Sequence, residues 1–201
     1  MAMLNRETAD ALVMLESNAR TLLEDNILQF WLDRMQDREQ GGFYGRMDGN
    51  DCLDPQADKG CVLNARILWA FSAAYRVLRH PQYLEAATRA KDYVLEHFID
   101  REQGGAYWSL DYQGQPKDTK KQFYALGFMI YGLSEYVRAT GDQKPFLRQS
   151  VCLSVSSSMP TIMNMVDILH AWIVKAMYLI RINLFGCRDV RYGCFRCFII
   201  R

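Results

Sequence analysis

Apolar positions recur along the chain with two different signatures. Over residues 7–35, Leu12, Leu15, Ala19, Leu22 and Leu23 return at helical spacing, with Glu16, Arg20 and Glu24 between them. That is a one-sided stripe, so the segment is predicted as a helix with one face on the core and one in solvent. Residues 61–79 read differently. Val62, Leu63, Ala65, Ile67, Leu68, Trp69 and Phe71 leave no polar face, and a helix apolar nearly all round is predicted to be buried. Residues 82–98 are one-sided again, and residues 120–140 return to the all-round pattern. The predicted order is outer, inner, outer, inner.

A Gly-rich segment joins each outer helix to the next inner one. The hexapeptide Asp37-Arg38-Glu39-Gln40-Gly41-Gly42 returns as Asp100-Arg101-Glu102-Gln103-Gly104-Gly105, offset by 63 residues, and aromatics follow both copies. A repeat of this period built from one helix pair signals a toroid or solenoid. The paired glycines permit positive φ in a tight turn. A helix pair cannot bury its own inner face. Six pairs would need about 380 residues on the same repeat logic, so residues 1–145 read as part of a larger ring.

Charge divides the chain. Residues 1–143 hold 16 basic and 21 acidic side chains, a net of −5, whereas residues 144–201 hold 8 basic side chains and two acids, Asp167 and Asp189, a net of +6. Four of the six cysteines, Cys152, Cys187, Cys194 and Cys197, fall in the second part, which has no glutamate. An overall charge of +1 offers no basic surface for nucleic acid. Arg6, Glu7 and Asp10 interrupt any signal-like stretch, so the expected location is the cytoplasm, with thiols rather than disulfides. A membrane span needs about 20 largely uncharged residues, and Asp167, Lys175 and Arg181 break the apolar run 161–186. Cys194-x-x-Cys197 has the spacing of half a metal knuckle, but no second pair or histidine accompanies it, so no metal and no cofactor are expected.

Several segments, in order, carry a family resemblance. They are Phe30-Trp31, Gly41-Gly42-Phe43-Tyr44-Gly45, Asp58-Lys59-Gly60, the run Asn64 to Tyr75, Asp100 to Trp108, Lys121-Gln122-Phe123-Tyr124-Ala125, and Tyr136 to Asp142. Over residues 10–145 the chain resembles the N-acylglucosamine 2-epimerase family, most closely its cellobiose 2-epimerase branch. The resemblance implies an all-α fold, an incomplete (α/α)6 barrel with a sugar cleft at its mouth. It also implies inversion at C2 of a reducing-end sugar, glucose to mannose within cellobiose or a related β-linked disaccharide, through a cis-enediolate. Two histidines serve as acid and base there, since an imidazole is accessible in both protonation states near neutrality. The implied partner is a small carbohydrate, and the intact parent is expected to be monomeric.

Two residues match the family's cleft. Arg66 corresponds to a substrate-facing arginine, and a guanidinium there can stabilise charge on an enediolate oxygen. Its other reading is an ion pair with a nearby acid such as Asp58. Tyr124 corresponds to a cleft tyrosine, and its other reading is core packing. The catalytic histidines have no counterpart. His80 reads as a turn residue beside Pro81, His97 ends the second outer helix, and His170 lies in the divergent part. This chain is therefore expected to be inactive by itself. Other readings stay open: an N-acylglucosamine 2-epimerase or aldose–ketose isomerase of the same family, a toroid hydrolase or lyase using Asp58 and Asp118, or a non-catalytic carbohydrate-binding module.

Residues 146–201 read as a tail in a shifted frame. Read across codon boundaries with permitted codons, Leu153 to Asp167 can encode a run ending Asp-Asn-Glu-Tyr-Gly-Gly-Tyr, a third copy of the turn signature. Frame-shifting also accounts for the Cys-rich, Glu-free composition without a function.

Overall fold

The computed structural model describes residues 6–142. The tail 146–201, with His170 and Cys194-x-x-Cys197, lies outside the described residues. Helix α1 (Arg6–Thr21) runs through a π-helical stretch (Leu22–Leu28) into α2 (Gln29–Arg34), as the period over 7–35 predicts. One expectation fails here. No residue of α1 is buried, and Leu12, Leu15 and Leu22 are 50%, 64% and 55% exposed. An apolar stripe is buried only where another element faces it, and the core begins further along, at Leu28.

Two short antiparallel ladders follow, which the helical period did not announce. Strands β1 (Arg46–Met47) and β2 (Leu53–Asp54) form one. The other comprises β3 (Lys59–Gly60), β4 (Ser109–Leu110) and β5 (Pro116–Asp118), in the order β3-β4-β5. They satisfy backbone groups in the connections and leave the framework helical. Helix α3 (Cys61–Leu78) ends at Arg79 in the left-handed region. Helix α4 (Pro81–Tyr93) opens on Pro81, whose missing N–H costs nothing at that position, and continues as a π-helical turn (Val94–Phe98). Helix α5 (Phe123–Thr140) closes on Gly141 at φ 77°. No helix among the described residues is long and apolar enough to cross a membrane.

The repeated hexapeptide builds the same turn twice. Asp37 Oδ1 accepts the Glu39 and Gln40 amides at 3.0 and 2.8 Å, and Asp100 Oδ1 accepts those of Glu102 and Gln103 at 3.0 Å each. Gly41, Gly42, Gly104 and Gly105 all have positive φ, between 65° and 81°. At Gly42 a side chain is doubly barred, since an added Cβ would also lie 2.7 Å from the Tyr93 ring. Each aspartate uses its second oxygen to hold a lysine. Lys59 Nζ donates to Asp37 Oδ2 at 2.6 Å and to the Gly41 carbonyl at 2.8 Å, and Lys121 Nζ donates to Asp100 Oδ2 at 2.7 Å. Arg89 of α4 ties down the first turn through the carbonyls of Gly42 and Asp37.

Backbone hydrogen bonds and Lys121 together hold the Asp100 carboxyl down to about 2, below its ordinary 3.8. A depressed carboxylate contributes stability that is fully present above its unfolded pKa and lost as pH falls through the folded one. We expect urea stability to hold above pH 4 and to fall by about 2 kcal/mol between pH 4 and 2 on account of this group. Asp100→Asn should remove that part of the acid sensitivity. An unchanged pH profile in the variant would mean that the carboxylate is not held as described.

Helices α3 and α5 meet at close range because of Gly132. A Cβ at this position would lie 2.6 Å from the Ala65 carbonyl oxygen and 3.3 Å from Leu68 Cδ2. Across the same contact, Glu135, 2% exposed, accepts Arg76 Nε at 2.6 Å and Arg138 Nη1 at 3.4 Å. Helix propensity favours alanine over glycine by about 1 kcal/mol. Overpacking against a rigid backbone costs about 1–3 kcal/mol, so the two effects compete directly. We expect Gly132→Ala to lower the urea midpoint, because the nearest obstacle, the Ala65 carbonyl, is backbone that cannot rotate away. A midpoint equal to or above the parent's would show that the two helices separate freely.

Candidate functional site

Side chains of α3 and α5 that lie outside the fully buried core come together in one partly exposed strip. On α3 these include Arg66 and Trp69, and on α5 Tyr124, Phe128 and Tyr131. They fall at helical spacing, three or four residues apart, opposite Ala65, Leu68 and Phe71 on α3 and Ala125, Met129 and Leu133 on α5, which are buried. The all-round apolar pattern of these helices is therefore only partly a burial signal. Phe123 is 42% and Tyr124 60% exposed, so the burial expected from the all-round apolar pattern is corrected at this helix start, and the core reading of Tyr124 does not hold.

The two predicted cleft residues are brought to the same place through Phe128. The Arg66 guanidinium lies over the Phe128 ring at 6.0 Å, and the Tyr124 ring meets Phe128 edge-on at 4.9 Å. One helical turn along, Trp69 and Tyr131 stack with centroids 5.0 Å apart and planes within 11°. Phe128 joins the two groups, edge-on to Tyr131 at 6.4 Å. The result is an aromatic strip with one cation at its edge. Flat apolar rings suit the C–H faces of a sugar, and the guanidinium supplies donors for its oxygens.

Arg66 has no carboxylate within ion-pair distance among the described residues, and the alternative pairing with Asp58 does not form. Asp58 is held by Lys117 Nζ at 2.9 Å instead. Asp118 is likewise paired, with Lys120 at 2.8 Å. Two carboxylates each engaged by a lysine do not make the free acid–base pair that glycoside cleavage needs. Burial, reinforced by Glu135, pushes the Tyr131 phenol up to about 12, with Arg66 acting the other way. Its hydroxyl is accordingly neutral near pH 7. Trp69 Nε1 is buried with no hydrogen-bond partner among the described residues.

Of the described histidines, neither His80 nor His97 contacts this strip. His80 caps the start of α4 and lies 3.6 Å from Glu24. His97 stacks on Tyr93 at 4.4 Å and contacts the Gly114 carbonyl through Nδ1 at 3.2 Å. Among the described residues no three His, Cys, Asp or Glu side chains are grouped to hold a metal.

Sequence reasoning did not single out Trp69, Phe128 or Tyr131 as site residues, nor Lys59 and Lys121. A signal was present. Lys59, Arg66 and Trp69 recur 62 residues later as Lys121, Phe128 and Tyr131, so the two inner helices present equivalent positions to each other.

The family model of N-acylglucosamine 2-epimerase (GlcNAc 2-epimerase) matches residues 42–155. The chain is 56% identical over 134 residues to a cellobiose 2-epimerase of Bacteroides fragilis, covering 67% of this chain and 34% of that protein. It is 44% identical over 131 residues to one of Ruminococcus albus, covering 65% and 33%. A solved cellobiose 2-epimerase from Bacillus thermoamylovorans superposes with a TM-score of 0.68 at 38% identity, over 72% of this chain and 37% of that one. The chain thus spans about a third of the length of the curated relatives it matches. With more than half of its residues under the family model and the helical framework of the solved relatives, the chain belongs to the N-acylglucosamine 2-epimerase family of carbohydrate epimerases.

Proposed function

We propose that residues 1–145 supply the first two helix pairs of an (α/α)6 sugar 2-epimerase. Its substrate is cellobiose or a related β-linked disaccharide, inverted at C2 of the reducing-end residue. The observation that carries this reading is Arg66, a guanidinium at the edge of an aromatic strip with no carboxylate partner among the described residues. In the open-chain sugar, a base takes the C2 proton beside the aldehyde, and negative charge passes to the oxygens of a cis-enediolate. A charge-assisted hydrogen bond from Arg66 strengthens as that charge develops, which is what lowers a barrier. Tyr124 and Phe128 pack against the sugar and hold it in register. Reprotonation on the opposite face gives the mannose configuration. The proton carriers are histidines outside residues 6–142.

The experiment uses the chain and a hybrid. The chain alone, incubated with cellobiose, is expected to give no glucosyl-mannose. A hybrid in which residues 10–142 replace the matching segment of the Bacteroides fragilis protein is expected to give it. Arg66→Ala in the hybrid should lower kcat by about 10²–10³, and Arg66→Lys should not restore it, since an ammonium lacks the planar fork. A hybrid that epimerises with Arg66→Ala unimpaired would sink the assignment. One that acts on glucose but not cellobiose would move it to a monosaccharide isomerase.

A further inference from the structure

Both helices that carry the candidate site are tied at their starts in the same way. The N-cap of α3 is Gly60 and that of α5 is Gln122, and neither makes a side-chain cap hydrogen bond. Helix N-termini leave four amides without intrahelical partners and are ordinarily held by a capping side chain. Here the residue just before each N-cap is a lysine, and each lysine is anchored not in its own helix but in the preceding Gly-Gly turn. Lys59 reaches Asp37 across 22 residues and Lys121 reaches Asp100 across 21. Each ammonium also lies over an aromatic ring, Lys59 over Tyr93 at 4.9 Å and Lys121 over Tyr107 at 4.1 Å. Two repeats have thus converged on one joint, in which an Asx turn, a lysine and a ring fix where an inner helix starts.

What those helix starts hold gives the joint a consequence. Tyr124 is the second residue of α5, three beyond Lys121. Arg66 is the sixth residue of α3, seven beyond Lys59. A helix is stiff along its axis, so a shift or fraying of its first turn moves these side chains directly. The Arg66–Phe128–Tyr124 group spans both helices.

We propose that Lys59 and Lys121 are positioning residues that tie each helix start to the preceding Gly-Gly turn and set Arg66 and Tyr124 in register across the site. The local claim is independent of chemistry, while its bearing on catalysis rests on the epimerase reading above. Lys121 is the better probe, because its side chain is 31% exposed and its replacement leaves the core intact.

The test is hydrogen exchange on the full chain, read peptide by peptide, with cellobiose titration of the same samples followed by NMR. Lys121→Met is expected to speed exchange about tenfold in the first turn of α5, 123–127, while α3 and residues 133–140 keep their protection. Lys121→Arg, which can still reach Asp100, is expected to restore the slow rate. Lys59→Met should do the same to the start of α3 and spare α5. If Lys59→Met does not fold, the Lys121 pair of variants decides the question. Uniform acceleration throughout the chain, or none at 123–127, would overturn the positioning role. Retention of the local pattern in a chain that shows no shifts with cellobiose would uphold the joint and count against the carbohydrate reading alone.

Discussion

Lys59→Met is expected to cost about 3–5 kcal/mol, enough to unfold a domain of ordinary stability. Lys59 is fully buried, and so is Asp37, at 1% exposure. Burial pushes the Lys59 ammonium down from its usual range, and Asp37 pulls it back. Removing the lysine leaves a carboxylate in a dry slot with one oxygen unpaired. It also strips the Gly41 carbonyl of its donor. Methionine fills much of the volume, so the loss reports the missing charge and hydrogen bonds more than a cavity. Asp37→Asn combined with Lys59→Met removes both charges, and we expect it to recover more than half of the loss. The measurement is urea denaturation followed by far-UV circular dichroism. A single variant within 1 kcal/mol of the parent would show that water reaches this pair.

A single methyl at Gly45 is expected to be as damaging, at about 3 kcal/mol or more. Gly45 passes directly against Asp58. An added Cβ would overlap the Asp58 carbonyl oxygen and lie 2.7 Å from its carbon and 3.1 Å from the Ala57 carbonyl. Every one of these obstacles is main chain, so no rotamer change relieves the clash. Either the 43–45 segment lifts or the 57–60 segment moves. The first would disturb Phe43, which is fully buried against Phe71 at 6.0 Å. The second would withdraw Lys59 from Asp37. In contrast, Gly49 has nothing within 4 Å of an added Cβ, so Gly49→Ala is the control. Equal urea midpoints for the two alanine variants would show that the 57–60 segment gives way without cost.

Much of this was legible from the sequence, and much was not. Helical period placed the helices to within a few residues. It depends on contacts three and four residues apart, which a linear reading captures. The Asp-x-Glu-x-Gly-Gly repeat marked both turns, because the Asx geometry and the positive φ values are properties of those few residues themselves. Family resemblance pointed to Arg66 and Tyr124. It could not say that Arg66 lies over Phe128, since that meeting joins residues 62 apart.

The same hydrophobic alphabet served burial and exposure, and only packing separated them. On α5, Phe123 reads as core and stands in the open, while Leu133 reads the same and is buried. On α1 no residue is buried, despite the stripe. The sequence by itself determined the helical framework, the turn chemistry and the family. Tertiary structure alone decided which apolar faces stay exposed, which acid each lysine holds, and that Arg66 keeps clear of Asp58. Those outcomes depend on segments 20 to 60 residues apart coming within a few ångströms, and no local pattern encodes that distance.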